Sequence, residues 1–203
     1  MLRFPSPEGL SADAWRLRDG SAAVIRPATA ADADAIQALV RSLSPQTRYQ
    51  RFFNGVRELS PQWLARFTHA QPRGDVSLLA SIAGEDRETL VGMAQYSADP
   101  FPERCDFALL VADPWQGKGL GKRLLHNLEC IARAAGIHAI EGEVLAHNSV
   151  MLGLVRALGY RARRHPESAL TLHVARPLAE PAAECSPLAQ LAKGDFRRNL
   201  ALA

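Results

Sequence analysis

The sequence predicts a mixed α/β protein with a central, largely antiparallel sheet flanked by helices. Three observations carry this. Strand-like and helical segments follow one another without strict β-α alternation, so an all-parallel sheet is not expected. Two apolar runs, residues 76–84 and 89–97, are separated only by a polar turn and read as an antiparallel pair. Two further strand-like runs each lead into a segment with apolar residues at helical spacing, beginning near Leu120 and Asn148.

From the N-terminus, "WRLRDGSAAVIRP" (15–27) reads as two short strands around a turn at Asp19-Gly20. "TAADADAIQALVRSL" (29–43) is a helix with Thr29 as N-cap and Asp32 as an acidic variant of the capping-box partner. Its apolar residues Ile36, Leu39, Val40 and Leu43 share one face. Ser44-Pro45 and Ser60-Pro61 each start another helix, with serine as cap and proline in the first turn. The pair at 76–97 is followed by a third strand, "CDFALLVA" (105–112), ended by Asp113-Pro114.

Leu120, Leu124, Leu128, Ile131 and Ala135 then mark one face of a long helix, with Gly136 beyond its end. "HAIEGEVLA" (138–146) is a strand and "NSVMLGLVRAL" (148–158) a helix closed by Gly159. Met151, Leu152 and Leu154 read as core of that helix. "YRARR" (160–164) and "ALTLHVA" (169–175) are the last strands. From Pro177 the chain is Ala- and Pro-rich without sustained periodicity, which reads as a tail. There is no internal repeat.

Composition narrows the function classes. Of the 203 residues, 47% are apolar and 22% charged, ordinary values for a globular protein with one core. The 24 Lys and Arg against 21 Asp and Glu give a net charge of +3. That weakly favours anionic ligands, and no interleaved basic-aromatic patch argues for nucleic acid. Cys105, Cys130 and Cys185 are far apart, without CxxC or Cys/His spacing, so neither a metal site nor a disulfide framework is expected. The N-terminal residues lack an apolar signal-peptide core, and no stretch approaches a membrane span. These features lead us to expect a soluble, cytoplasmic protein with no membrane partner. They leave a homo-oligomer open.

The chemical signal is "QGKGLG" at residues 116–121, which follows a strand and opens a helix. A helix N-terminus exposes unpaired N–H groups and the positive dipole end, and so binds phosphate. Gly117, Gly119 and Gly121 let the backbone come close, while Lys118, Lys122 and Arg123 add positive charge. A Walker A loop would need Ser or Thr after Gly121-Lys122, where Arg123 stands. A Rossmann fingerprint needs GxGxxG, and these glycines are spaced GxGxG. The form Q/R-x-x-G-x-G/A matches at every defined position: Gln116, Gly119 and Gly121.

On these residues the sequence resembles the GNAT family, the Gcn5-related N-acetyltransferases. "CDFALLVADPWQGKGLGKRLLHNLECIARAAGI" is similar to the family's strand, phosphate loop and helix. "IEGEVLAHNSVMLGLVRALGY" is similar to its following strand and helix, with the Gly-aromatic pair at Gly159-Tyr160, and "IRPATAADADAIQALV" to its opening. A closer likeness is to the acetyltransferase domain of bacterial protein lysine acetyltransferases.

The resemblance implies a domain at residues 15–176, between an extension at 1–14 and a tail at 177–203. It implies acetyl-CoA as co-substrate, no metal, and an amine acceptor, protein lysine or small molecule. The pyrophosphate would lie on the loop from Gln116 through Gly117, Lys118, Gly119, Leu120, Gly121 and Lys122. Backbone groups of Leu109 and Val111 would pair with the pantetheine arm and acyl carbonyl, and Asn148 would contact the cofactor.

An amine attacking a thioester needs a base, because a lysine amine with a pKa near 10.4 is mostly protonated at neutral pH. It also needs a donor for the oxyanion, which a strand N–H can supply. Asp106 stands where the lysine-acetylating relatives carry a glutamate base. It is one methylene shorter, so a water relay is an option. Glu143 is the rival base, with Glu141 on the same strand face. Arg48, Tyr49, Arg51, Phe52 and Phe53 form a patch bordering the acceptor side, with the aromatics expected to be buried. Many GNAT enzymes carry a tyrosine acid seven residues after the helix-opening asparagine. Here that position is Val155. With the short Asp106, this motivates a second reading, an acetyl-CoA sensor without catalysis.

Overall fold

The computed structural model describes residues 12–68, 74–84, 88–98, 104–178 and 188. Gly20, at φ 86°, turns the chain between β1 (Asp13–Arg16) and β2 (Ala22–Pro27). The next helix begins with a 3-10 turn at Ala30–Asp32 and only then becomes α1 (Ala33–Ser42). Asp32 causes this: its carboxylate reaches back to the Thr29 N–H at 2.7 Å and is gripped by both Nη groups of Arg26 at 2.7 and 2.9 Å. The serine caps behave as expected. Ser44 Oγ accepts from the Thr47 N–H at the start of α2 (Pro45–Phe52), and Ser60 Oγ from the Trp63 N–H at the start of α3 (Pro61–Thr68).

The remaining elements are β3 (Val76–Ala83), β4 (Glu88–Ala98), β5 (Arg104–Val111), α4 (Leu120–Ala134), β6 (Ala139–Leu145), α5 (Ser149–Ala157), β7 (Arg161–His165) and β8 (Ser168–Pro177). They form one sheet in the order β1-β2-β3-β4-β5-β6-β8-β7. Every neighbouring pair is antiparallel except β5 and β6. The mixed, largely antiparallel sheet expected from the sequence is therefore present.

Period-two alternation divides the core between the two faces. Leu79, Met93 and Leu110 pack under Ile36, Leu39 and Val40 of α1 and Phe67 of α3. Leu78, Ala80 and Ala94 face the other way, onto Leu124, Leu128 and Ile131 of α4, with Leu152 and Val155 of α5 in the same cluster. Leu178 and Leu188 are buried there too. The rest of the 1–14 extension and the 177–203 tail, Cys185 included, lies outside the described residues apart from Ala12–Ala14 and Pro177.

Edge strand β1 is held to α4 by a buried carboxylate. Asp13 Oδ1 and Oδ2 each accept from Arg123 at 2.6 Å, and Oδ2 also from Asn127 Nδ2 at 2.8 Å. Burial pushes the Asp13 carboxyl up, but the Arg123 and Asn127 hydrogen bonds outweigh it and hold it below its ordinary value. A depressed carboxylate stabilises the fold above its unfolded pKa of about 3.9, and that contribution is lost as pH falls through the folded value. Asp13→Asn is expected to cost about 2 kcal/mol at neutral pH and to lower Tm by about 5 °C. A Tm series from pH 7 to pH 3 checks this: the gap between the two proteins closes below about pH 4.

Candidate active site

β5 and β6 pair only at Arg104–Ala139, Cys105–Ile140 and Asp106–Glu141. Beyond Asp106 the two strands separate, although β5 runs on to Val111 and β6 to Leu145. At the point of separation, a Cβ on Gly142 would meet the Phe107 carbonyl oxygen at 3.0 Å and its ring at 3.0 and 3.1 Å. Only glycine fits where the strands part. On the far side of β5, β4 carries a bulge: Ala80 pairs with Gly92 and Ser81 with Leu90, leaving Val91 as the extra residue. Its carbonyl accepts from the Ala112 N–H at 2.8 Å.

Backbone direction on β5 follows from its neighbours. The Phe107 carbonyl lies against Gly142, and the Val111 carbonyl accepts from Gln116 Nε2 at 3.0 Å. In a strand, residues two apart point their N–H and C=O the same way. The Leu109 N–H and C=O, between them, therefore face the opening between β5 and β6.

This opening runs into a pocket of about 510 Å³. Its lining includes Leu109 and Val111, the loop residues Gln116, Gly117, Gly119, Gly121 and Lys122, and Glu143 and Asn148. The loop opens α4 with two left-handed glycines, Gly117 at φ 72° and Gly119 at φ 95° as N-cap. Gly121 acts in a different way, through space. A Cβ there would press on Leu154 at 3.2 Å and Leu109 at 3.4 Å. Asn148 caps α5, its Oδ1 accepting from the Met151 N–H at 3.0 Å, and this leaves its amide NH₂ as the donor for a ligand.

The cations divide. Lys118 lies 2.8 Å from Asp19 and 4.4 Å over the Trp115 ring, and its hydrogen bond, with that of the Ser21 N–H, holds the Asp19 carboxyl down at about 2. Arg123, expected near the loop, is instead turned to Asp13. Lys122 is the loop cation that lines the pocket. A tie not foreseen from the sequence joins loop and α2. Asp113 accepts from the Ser44 N–H at 2.9 Å and from the Ser44 and Thr47 hydroxyls at 2.7 and 2.8 Å. Burial pushes its carboxyl up, and these bonds more than offset that. "DP" read only as a strand breaker; the side chain also caps a helix 69 residues earlier.

Three carboxylates share the sheet face turned towards α1–α3. Asp106 is exposed and stands beside Glu141 across the last paired rung, with Ser97 of β4 on its other side. It is not among the pocket's lining residues, whereas Glu143 is. Glu143 lies 3.3 Å from His165 Nε2, and Glu141 lies 3.5 Å from His173 Nε2 and 3.3 Å from Arg104. His147 is exposed beyond the end of β6.

Two further expectations change. Of the aromatics in α2, only Phe52 is buried, against Trp63 at 5.6 Å; Tyr49 and Phe53 are 42% and 41% exposed. Phe53 leaves the helix at φ 56°, which swings its ring to the pocket wall. Met151 and Leu154 also line the pocket and are only partly buried; Leu152 alone of the three is core. Cys105 is buried as expected, and burial, then the Asp106 and Glu141 charges, push its thiol up to about 12. Such a thiol is no nucleophile at neutral pH. Among the described residues no cluster of His, Cys, Asp and Glu could hold a metal ion, and no helix is long and apolar enough to cross a membrane.

A strand pair that opens beside a glycine-lined helix N-terminus is an arrangement that can hold a phosphate-bearing ligand. Comparison with known proteins gives the family. The model of the Acetyltransferase (GNAT) family matches residues 37–160. An acetyltransferase of Pseudomonas aeruginosa is 30% identical over 166 residues, covering 81% of this chain and 88% of that protein. The chain belongs to the GNAT acetyltransferase family. It is an acetyl-CoA-dependent N-acetyltransferase. Among solved structures, the GNAT domain of S. lividans PAT superposes with a TM-score of 0.74 at 28% identity, covering 82% of this chain and 96% of that one. The structure of yncA from Salmonella typhimurium with its cofactor acetyl-CoA gives a TM-score of 0.63 at 25% identity, covering 79% and 96%. The L-methionine sulfoximine/L-methionine sulfone acetyltransferase of Pseudomonas aeruginosa is 31% identical over 97 residues, 46% of this chain and 54% of that protein.

Proposed function

We propose that the domain at residues 15–176 transfers the acetyl group of acetyl-CoA directly to a primary amine, on a small molecule or a protein lysine. The observation that supports this most is the joining of the β5–β6 opening to the Gly119 helix terminus within one pocket. In this reading the Gly117–Lys122 amides, with Lys122, hold the pyrophosphate, and Gln116 braces the loop against the Val111 carbonyl. Leu109 supplies backbone groups for the pantetheine arm and the acyl oxygen, and Asn148 donates its amide NH₂ from α5. The thioester supplies an activated acyl group and a thiol leaving group.

The chain must then take a proton from the amine. Asp106 does so, through a water molecule because it stands outside the pocket lining, and Glu143 draws the ammonium group inward. No tyrosine acid is needed. Val155 is fully buried, and a thiol of pKa about 8.5 leaves as the thiolate near neutral pH. With the thiols of Cys105 and Cys130 buried, the reading includes a cytoplasmic location.

Direct transfer is tested by rapid mixing with acetyl-CoA and a panel of amines. Free thiol is expected only when an acceptor is present, at a steady rate. A stoichiometric thiol burst without acceptor would reveal an acetyl-enzyme and overturn direct transfer. Calorimetric binding of acetyl-CoA with no turnover of any amine or lysine peptide would favour the sensor reading instead.

A further inference from the structure

The proposed acceptor side of the pocket contains a partly buried cation that the transfer chemistry does not use. Arg51, in the last turn of α2, lines the pocket. Its Nη2 donates to Gln95 Oε1 at 3.0 Å, and its guanidinium lies 4.9 Å over the Phe52 ring. Its Nε is buried with no hydrogen-bond partner, and among the described residues no carboxylate pairs with it. Arg26 and Arg133 also have a buried Nε without a hydrogen bond, but each has a carboxylate partner, Asp32 and Glu129. Burial of the unpaired guanidinium lowers its pKa to about 10, so it remains charged at neutral pH. A charge buried without a partner is costly, and a fork of N–H donors in that state is complementary to a carboxylate.

Its position gives the carboxylate a meaning. Gln95, which Arg51 grips, pairs with Ala108 in the β4–β5 ladder, so both side chains stand on the face turned to α1–α3. Ala108 adjoins Leu109, whose backbone faces the β5–β6 opening, and Asp106 lies two residues back on the same face, about 7 Å along the strand. Glu143 lines the pocket across the opening. The lining thus holds Arg51 on the α2 side and Glu143 on β6, and its other carboxylate, Asp113, is already taken by Ser44 and Thr47. A zwitterion is the acceptor that satisfies both, with its carboxylate on Arg51 and its ammonium group towards Asp106 and Glu143. The buried Nε also limits size. An acidic side chain on a folded protein surface would have to enter the pocket together with its lysine, whereas a free amino acid enters whole. Phe53, held at φ 56° on the pocket wall, leaves an aromatic surface beside Arg51 for the amino acid's side chain.

We infer that the acceptor is a free amino acid, selected by its carboxylate through Arg51. This rests on the N-acetyltransferase reading above and narrows it.

The test uses the standard L-amino acids, each beside its primary amide and its decarboxylated amine, with acetyl-CoA and thiol release as the readout. At least one amino acid is expected to be turned over, with kcat/KM about 100-fold above that of its amide and amine. Calorimetry of that amino acid against the protein saturated with CoA gives a second readout, in which the acid binds and the amide does not. In Arg51→Gln the preference for acid over amide should fall to within a few-fold, with acetyl-CoA affinity unchanged. Acetyl-CoA binding with turnover of lysine peptides alone, or equal turnover of acid and amide, would overturn the inference and leave the transferase reading standing. Failure to bind acetyl-CoA would remove that reading and the inference with it.

Discussion

Gly119→Val is expected to lose at least 100-fold in acetyl-CoA affinity while the sheet stays folded. Gly119 is the N-cap of α4 at φ 95°, a region that a β-branched residue enters only at a cost of about 1–2 kcal/mol or more. Nothing crowds a Cβ there, so the penalty is one of backbone conformation and not of packing. The cheapest relief is to unwind the first turn of α4. That turn carries the unpaired N–H groups proposed to hold the pyrophosphate, and each hydrogen bond to a charged group is worth about 1.5–3 kcal/mol. Losing two of them accounts for the factor of 100. Gly119→Ala should fall between wild type and valine. Gly121 acts through space instead, so Gly121→Ala asks only that Leu154 and Leu109 yield by a few tenths of an ångström. Calorimetric titration with acetyl-CoA, beside circular dichroism, separates these cases. Wild-type affinity in a folded Gly119→Val protein would place the pyrophosphate elsewhere.

The difference between the two glycines shows what the sequence could and could not tell. Their spacing with Gln116 was legible as a phosphate loop, because motif spacing encodes which residues can stand at a helix start. Which glycine needs positive φ and which needs space depends on Leu109 and Leu154, brought there by β5 and α5. The order of strands and helices was legible for a similar reason, since caps such as Ser44 and apolar periodicity such as that of Leu120, Leu124 and Leu128 are local. Asp113 marks the limit. Its helix-capping bonds to Ser44 and Thr47 join positions almost 70 residues apart, and no local pattern announces them. Arg51 was visible as part of a basic-aromatic patch. Only the fold shows that its Nε is buried in the pocket wall, while Arg48 turns back onto the Leu43 carbonyl and Tyr49 stays exposed.

Asp106→Asn is expected to lower kcat by about 100-fold and to leave acetyl-CoA affinity within about twofold of wild type. Asp106 stands at the last paired rung of β5 and β6, beside the opening but outside the pocket lining, so it reaches the amine through water. A carboxylate so placed takes a proton and contributes little to holding the cofactor. Asparagine keeps the shape and removes the base, and one limb of the kcat profile against pH should vanish with it. Asp106→Glu restores the missing methylene and should retain most of the rate. Glu143→Gln should behave differently, raising the acceptor KM more than it lowers kcat, because Glu143 lines the pocket and attracts the ammonium group. The reverse outcome, with the pH limb lost in Glu143→Gln and kept in Asp106→Asn, would make Glu143 the base. The water relay at Asp106 would then have no role.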